Sequence, residues 1–571
     1  MASHDWLKNF DEEVGLWWAT KAPAHTAPLA YLGMKVHPGP DAVSRLLLAA
    51  ERGELAKLPV ERVLGTLAKM MSKDRPGELC WYWEDEEKSS DANASFFTGM
   101  GLIALWLGYQ EELSETSRAV LRSIFHSLLG WFAPLIEEEH FQCLNGYMGE
   151  ATCAWLLSEI LDRRSDRTAL SGHLLRAAED WLEHGFGFGE HLSDIYSRVA
   201  LQEISFLLLF SKELPRPLRD RLERVFQTLL EINDGFSGGP YVPTIRCYDF
   251  LESPSKGNNR LLIAETYRES IRPTGDIFEG EIGNNPPLNG LLFKAGWHDL
   301  APTREEPTGE EIIIPCQRNS RAYASVAKDF RLGSLTRFPV MPEVEFREWG
   351  MSWQSFPVAF WRPEGDWGYL QWEHEDPEGN FCYPSEGPSA DPLKRGNPLS
   401  RVLPPILGKT FSLQRGGDLI VLRMMTAVDT RWLTIKDRLR LVDSHAVLEE
   451  KNSENGWSQL LLRYPERCIS VQHVNLMPDG PAPTTVTSQT RIVDWECSWP
   501  VDKLNRTLLS LWAISLNGPV TAAPQREAER PRSATTRHPE EYPSLLWWDW
   551  GWIRWDLRID PLSANPLEAL T

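Results

Sequence analysis

Up to about residue 310 the apolar positions return every three or four residues, in segments of about 12 to 20 residues, which is the spacing of amphipathic helices. The pattern predicts helices over residues 42–51, 60–71, 93–109, 117–135, 145–161, 170–182, 194–210 and 218–232. Their connections are short and carry Gly, Pro or acidic residues, as in Glu213-Leu214-Pro215-Arg216-Pro217, so sequence neighbours are expected to pack antiparallel. Eight or more such helices are too many for a four-helix bundle. They suit an array of helical hairpins that closes, or nearly closes, into a toroid.

Past residue 310 the period shortens to that of strands. β-rich runs occupy residues 311–314, 331–338, 353–361, 367–372, 418–425, 432–442 and 457–463, parted by turns such as Pro363-Glu364-Gly365-Asp366 and Gly416-Gly417. Residues 546–559 alternate Trp548, Trp550 and Trp552 with Asp549, Gly551 and Ile553, which reads as one strand with an aromatic face. The expected architecture is α+β: an N-terminal (α/α) toroid over residues 1–305, the candidate catalytic domain, then a Trp-rich antiparallel β-sandwich over residues 306–571. Residues 385–404 and 521–542, rich in Pro with Gly, Ser or charge, read as long loops.

Composition narrows the function. A net charge of −21 argues against a general nucleic-acid binder, because phosphate contacts need a basic stripe. No run of about 18 apolar residues suggests a membrane span, and residues 1–10 lack a basic-then-apolar leader, which points to a cytoplasmic protein. The eight cysteines are scattered without a CxxC pair, so free thiols are expected, with no zinc knuckle or disulfide framework. The 25 tryptophans, beyond those that fill a core or a sheet face, could serve as flat platforms for sugar rings.

Four segments carry candidate chemistry. In Cys143-Leu144-Asn145-Gly146-Tyr147-Met148-Gly149-Glu150-Ala151 an Asn opens an apolar helix, where Asn145 serves as an N-cap or as a hydrogen-bond donor to a ligand. Gly185-Phe186-Gly187-Phe188-Gly189-Glu190-His191-Leu192-Ser193-Asp194-Ile195-Tyr196 is a glycine-rich approach to a helix, with His191 and Tyr196 at its start. Tyr196 shares a helical face with Val199, Ala200 and Glu203. Pro240-Tyr241-Val242-Pro243-Thr244-Ile245-Arg246-Cys247-Tyr248-Asp249 holds an Arg among aromatics, either bridging to Asp249 or free for an anion. In the second half, Trp372-Glu373-His374-Glu375-Asp376 places a His at the end of a strand.

A helical toroid followed by a β-sandwich, with these segments in this order, resembles the polysaccharide lyases of the heparinase II/III, alginate and chondroitin lyase type. The resemblance implies cleavage of uronic-acid-containing glycans by β-elimination, without metal or other cofactor. Such an enzyme must hold the sugar carboxyl, remove the proton on the adjacent carbon and protonate the leaving oxygen. By that resemblance Asn145 neutralises the carboxylate and Tyr196 acts as base and acid. His191, Arg246 and His374 assist, and Trp81, Trp83, Tyr147, Tyr241 and Tyr248 line the sugar path. The chain departs from the family at Gly146, where an aromatic or His often follows the Asn, and around His374, where a second His is usual. An alternative is a glycoside hydrolase on a similar toroid, drawing its two carboxylates from Glu84, Asp85, Glu86, Glu87, Asp91, Glu190, Asp194, Glu279 and Glu281. A sugar-binding protein without catalysis is the third reading. In each case the partner is a carbohydrate, with neither nucleic acid nor membrane.

Overall fold

The computed structural model describes residues 5–20, 34–85, 93–187, 189–193, 196–236, 241–245, 286–302, 309–316, 320–338, 340, 355–362, 366–375, 408–425, 433–452, 457–476, 482–489, 492–503, 508–518, 544–549, 554–560, 563 and 565–570. The helices are α1 (Gly39–Glu51), α2 (Val60–Lys69), α3 (Asn93–Tyr109), α4 (Glu115–Glu137), α5 (Leu144–Ile160), α6 (Arg164–His184), α7 (Tyr196–Phe210), α8 (Arg216–Phe236), α9 (Pro286–Lys294) and α10 (Trp297–Leu300). All those expected from the periodicity are present. The start of α6 lies earlier than expected because its first turn, Arg164-Ser165-Asp166-Arg167, is polar and carries no apolar stripe.

The chain divides into two compact units. The first takes in the described residues up to Asp234 together with α9 and α10; residues 235–245 cluster with the strands in the second. Helices α3, α5 and α7 are buried on nearly every side, as interior helices are. They form an inner ring in which α1 packs on α3, α3 on α5, α5 on α7, α7 on α9, and α9 back on α1. Outside it α2 packs on α4 and α4 on α6. This is a closed (α/α) toroid. By length and mean hydropathy α4 could cross a bilayer, yet here it packs against α2, α5 and α6.

Contacts between inner helices advance in the same direction along each. The Cys153 thiol donates to the Phe96 carbonyl, Thr152 Oγ1 to the Glu203 carbonyl at 3.2 Å and Trp155 Nε1 to Ser211 Oγ at 2.9 Å. A methyl group at Gly149 would come within 2.4 Å of Phe96 and 2.8 Å of Glu203 Oε1, so glycine lets α3 and α7 close on α5. α3, α5 and α7 therefore run parallel, with their N-terminal ends on one rim.

The second unit is antiparallel throughout. Its strands are β1 (Glu310–Cys316), β2 (Ser320–Val326), β3 (Arg331–Leu335), β4 (Arg337–Phe338), β5 (Val358–Trp361), β6 (Trp367–Glu375), β7 (Gly408–Arg415), β8 (Asp418–Met425), β9 (Thr434–Val442), β10 (Val447–Asn452), β11 (Trp457–Arg463), β12 (Cys468–Asn475), β13 (Thr484–Gln489), β14 (Ile492–Pro500), β15 (Leu508–Gly518), β16 (Ser544–Asp549), β17 (Arg554–Ile559) and β18 (Leu567–Leu570). An eight-stranded sheet has the order β13-β14-β9-β6-β5-β3-β2-β1, and a seven-stranded sheet the order β10-β11-β12-β15-β8-β7-β4. Alternate residues of both sheets, among them Leu332, Phe360, Leu439 and Trp495 from one and Leu419, Val421, Val471 and Trp512 from the other, make the core between them. The opposite face of the seven-stranded sheet, with Ile420, Leu422 and Leu511, packs on Leu557, Ile559 and Leu567 of the β16-β17-β18 sheet.

The expectation of one strand over residues 546–559 is corrected: β16 and β17 pair antiparallel with Trp548 opposite Trp555, so two strands stand where one was expected. A two-residue period marks a strand but does not mark where one ends and the next begins. The loops expected over residues 385–404 and 521–542 lie outside the described residues. The described cysteines are free thiols; Cys247 and Cys382 lie outside.

Candidate functional site

Three glycines shape the approach to α7. Gly185, Gly187 and Gly189 all have positive φ, at 88°, 52° and 88°. At Gly187 a side chain would also meet the Gln142 carbonyl oxygen at 2.0 Å, so the turn lies directly on the segment entering α5. That contact delivers Glu190 to the start of α5, where its Oε2 accepts the Asn145 amide hydrogen at 3.1 Å. Ser193 Oγ in turn accepts the Tyr196 amide hydrogen at 3.2 Å and opens α7. Asn145 and Tyr196 thus stand in the first turns of adjacent inner helices, on the same rim.

Asn145 is not the cap of its helix, as the sequence suggested. Cys143 occupies that position, and the capping acceptor is Glu190, supplied from 45 residues away. Asn145 itself is only 3% exposed, whereas Tyr196 is half-buried. His191, expected to face a cleft, is fully buried and packs on the Phe186 ring. Burial pushes its pKa down to about 3, against a hydrogen bond with the Phe186 backbone, so the imidazole is neutral.

Several expected sugar-facing aromatics are core residues instead. Tyr147 is buried edge-on against Phe141 and Trp181, with its hydroxyl directed at the Ile136 carbonyl. Trp81 packs with Val36, Tyr82, Ala94 and Phe97, and Tyr241 is also buried. Their apolar area favours the interior. Trp83 is exposed, at 39%. His374 lies in β6 opposite Ile435, while Arg246 and Tyr248 fall outside the described residues.

Of the rival set of acids, Glu84, Asp85 and Glu190 are among the described residues. Glu84 pairs with His37 Nδ1, and Asp85 Oδ2 accepts the Tyr82 amide hydrogen at 3.0 Å. Glu86, Glu87, Asp91, Asp194, Glu279 and Glu281 lie outside the described residues.

Sequence reasoning missed a buried acid group. Glu150 of α5 accepts from His140 Nε2 at 3.1 Å, and this bond raises the His140 pKa. Glu203 of α7 is fully buried, and among the described residues neither of its carboxyl oxygens has a hydrogen-bond partner. Burial first, then the charges of Glu190 and Glu150, drive its pKa well up from the ordinary carboxylate value. An acid in the middle of a helix whose neighbouring positions are mostly apolar is the signal that could have found both. A cavity of about 400 Å³, lined by Leu55, Leu58, Pro59, Glu61, Glu112 and Ser114, lies where α3 gives way to α4, on the opposite rim, and touches none of these groups. Among the described residues no cluster of His, Cys, Asp and Glu has the arrangement to hold a metal ion.

The closed helical ring and the antiparallel sandwich define an (α/α)-toroid plus β-sandwich architecture. No family model matches the sequence, and no curated protein matches it. Among solved structures the chain is similar to a crystal structure of heparinase III, with a TM-score of 0.44 and 9% identity over 93% of this chain and 81% of that one.

Proposed function

We propose that this chain is a carbohydrate-active lyase that cleaves uronic-acid-containing poly- or oligosaccharides by β-elimination. One observation supports the reading above others: Asn145 and Tyr196 begin adjacent parallel helices on one rim, and Glu190 ties the two starts together. On this reading Asn145 hydrogen-bonds the sugar carboxyl and stabilises the enolate-like transition state. Tyr196 removes the proton on the adjacent carbon; the carbon–oxygen bond to the leaving sugar breaks as a carbon–carbon double bond forms, and the leaving oxygen takes up a proton. Arg246 and His374 assist. His191 serves as a neutral hydrogen-bonding group, since burial prevents it from carrying charge at ordinary pH. The low exposure of Asn145 requires the first turn of α5 to become accessible when substrate arrives.

Incubating the protein with a panel of uronate-containing glycans and following ultraviolet absorbance tests the proposal, because elimination creates an unsaturated product. Absorbance should rise with the wild type and stay flat with Tyr196→Phe. Full turnover by Tyr196→Phe would remove Tyr196 from the mechanism.

A hydrolytic reading is favoured by one specific observation, the buried Glu203 with its raised pKa beside Glu190 and Glu150, since glycoside hydrolysis needs one carboxyl whose pKa is raised relative to its partner's. Reducing ends released from neutral glycans, with no ultraviolet gain, would select it.

A further inference from the structure

The eight-stranded sheet has one face in the sandwich core and another that is half apolar and half charged. On the second face Val242, Phe356, Ala359, Trp367, Tyr369 and Val442 form the apolar half. Beside them run two cross-strand rows, Gln371–Arg438–Glu496 and Tyr369–Arg440–Asp494, through the registers of β6, β9 and β14. Arg440 binds Asp494 through two nitrogens, each at 2.7 Å, and Arg438 Nη1 reaches the same carboxylate at 2.8 Å. Lys436 Nζ and Glu496 Oε1 lie 3.2 Å apart. Burial works against the charge on Asp494, yet the hydrogen bond from Arg440 and the charge of Arg438 hold its pKa low, so this carboxylate keeps both guanidiniums in place.

Gln371 is out of keeping with so well ordered a row. It is 4% exposed, and among the described residues neither its amide oxygen nor its amide nitrogen has a hydrogen-bond partner. Its cross-strand neighbour is Arg438. A buried amide unpaired at both ends costs stability and is uncommon in a native protein unless something else satisfies it. The missing partner must accept from the amide nitrogen and donate to the amide oxygen, beside a guanidinium. A carboxylate flanked by a hydroxyl meets all three requirements.

We infer that Gln371 and Arg438 form a subsite for the carboxylate and a neighbouring hydroxyl of an acidic sugar. The identity of the ligand rests on the proposed action on acidic sugars; the unpaired amide does not.

Calorimetric titration of the full chain with sodium D-glucuronate, and separately with D-glucose, tests the inference in the wild type and in Gln371→Leu. The wild type should bind glucuronate in preference to glucose. Gln371→Leu should weaken that binding by about tenfold, the loss of one good polar contact, while the free variant melts at or above the wild-type temperature because an unsatisfied buried amide is gone. No glucuronate binding by the wild type, equal affinity in the variant, or a lower melting temperature of the variant would each overturn it. Glucuronate binding lost in Gln371→Leu, from a protein that eliminates no glycan, would leave the subsite standing while the lyase reading fails.

Discussion

Glu190 Oε2 accepts the Asn145 amide hydrogen at 3.1 Å, so a side chain from the turn before α7 caps α5. Both residues are buried, and the bond places a negative charge at the positive end of the helix. Replacing Glu190 by Ala leaves a buried N–H without an acceptor and should destabilise the protein by about 1–3 kcal/mol. Glu190→Gln, which keeps an acceptor oxygen, should lose less. Urea unfolding of the two variants checks the order.

Glu203 makes stability fall as pH rises. Its folded pKa is raised above the unfolded value, so the folded chain holds the proton more tightly, and stability declines from the unfolded pKa of about 4.3 upward. Burial is the main cause, followed by Glu190 and Glu150; Cys153 also lies in this group, its own pKa raised chiefly by burial and then by Glu203. Glu203→Gln mimics the neutral acid. Its melting temperature should exceed that of the wild type at pH 8 and converge with it near pH 4; a constant difference across that range would contradict the assignment.

His140 is raised chiefly by its hydrogen bond to Glu150, with the charge of Glu138 adding to it and burial opposing. The stabilisation from this pair is fully present below the unfolded imidazole value of about 6.5 and fades as pH climbs through the folded value. In an NMR titration the His140 ring should titrate above that value in the wild type, and Glu150→Gln should bring it down.

In the sandwich Arg423 Nε donates to Asp437 Oδ1 at 2.7 Å, while Ser510 and Trp512 donate to the other carboxylate oxygen. Arg423 and Asp437 are both almost completely buried. Arg423→Met strands the carboxylate and should cost about 3–5 kcal/mol. Adding Asp437→Asn removes the uncompensated charge and should recover part of that loss. Chemical denaturation of the single and double variants gives the comparison.

Gly187 has φ of 52° and a carbonyl oxygen where a methyl group would go. Gly187→Ala should therefore lower the melting temperature by several degrees, as expected for strain of about 1–3 kcal/mol, and should disturb the Glu190–Asn145 bond that the turn supports.

What the chain by itself determined is period. Three- and four-residue spacing located α1 to α8, and two-residue spacing located about half of the described sandwich strands. These are local properties, carried by residues a few positions apart. Only the tertiary structure decided that α9 returns to α1 and closes the ring, that two paired strands stand where one was expected over residues 546–559, and that the cap of α5 comes from Glu190. It also decided which polar residues are buried together: Glu150 comes from α5, Glu190 from the turn before α7 and Glu203 from α7, and their charges act on one another because the fold brings them side by side. Charge interactions act through space and depend on burial, and neither is written in the spacing of residues along a strand or helix.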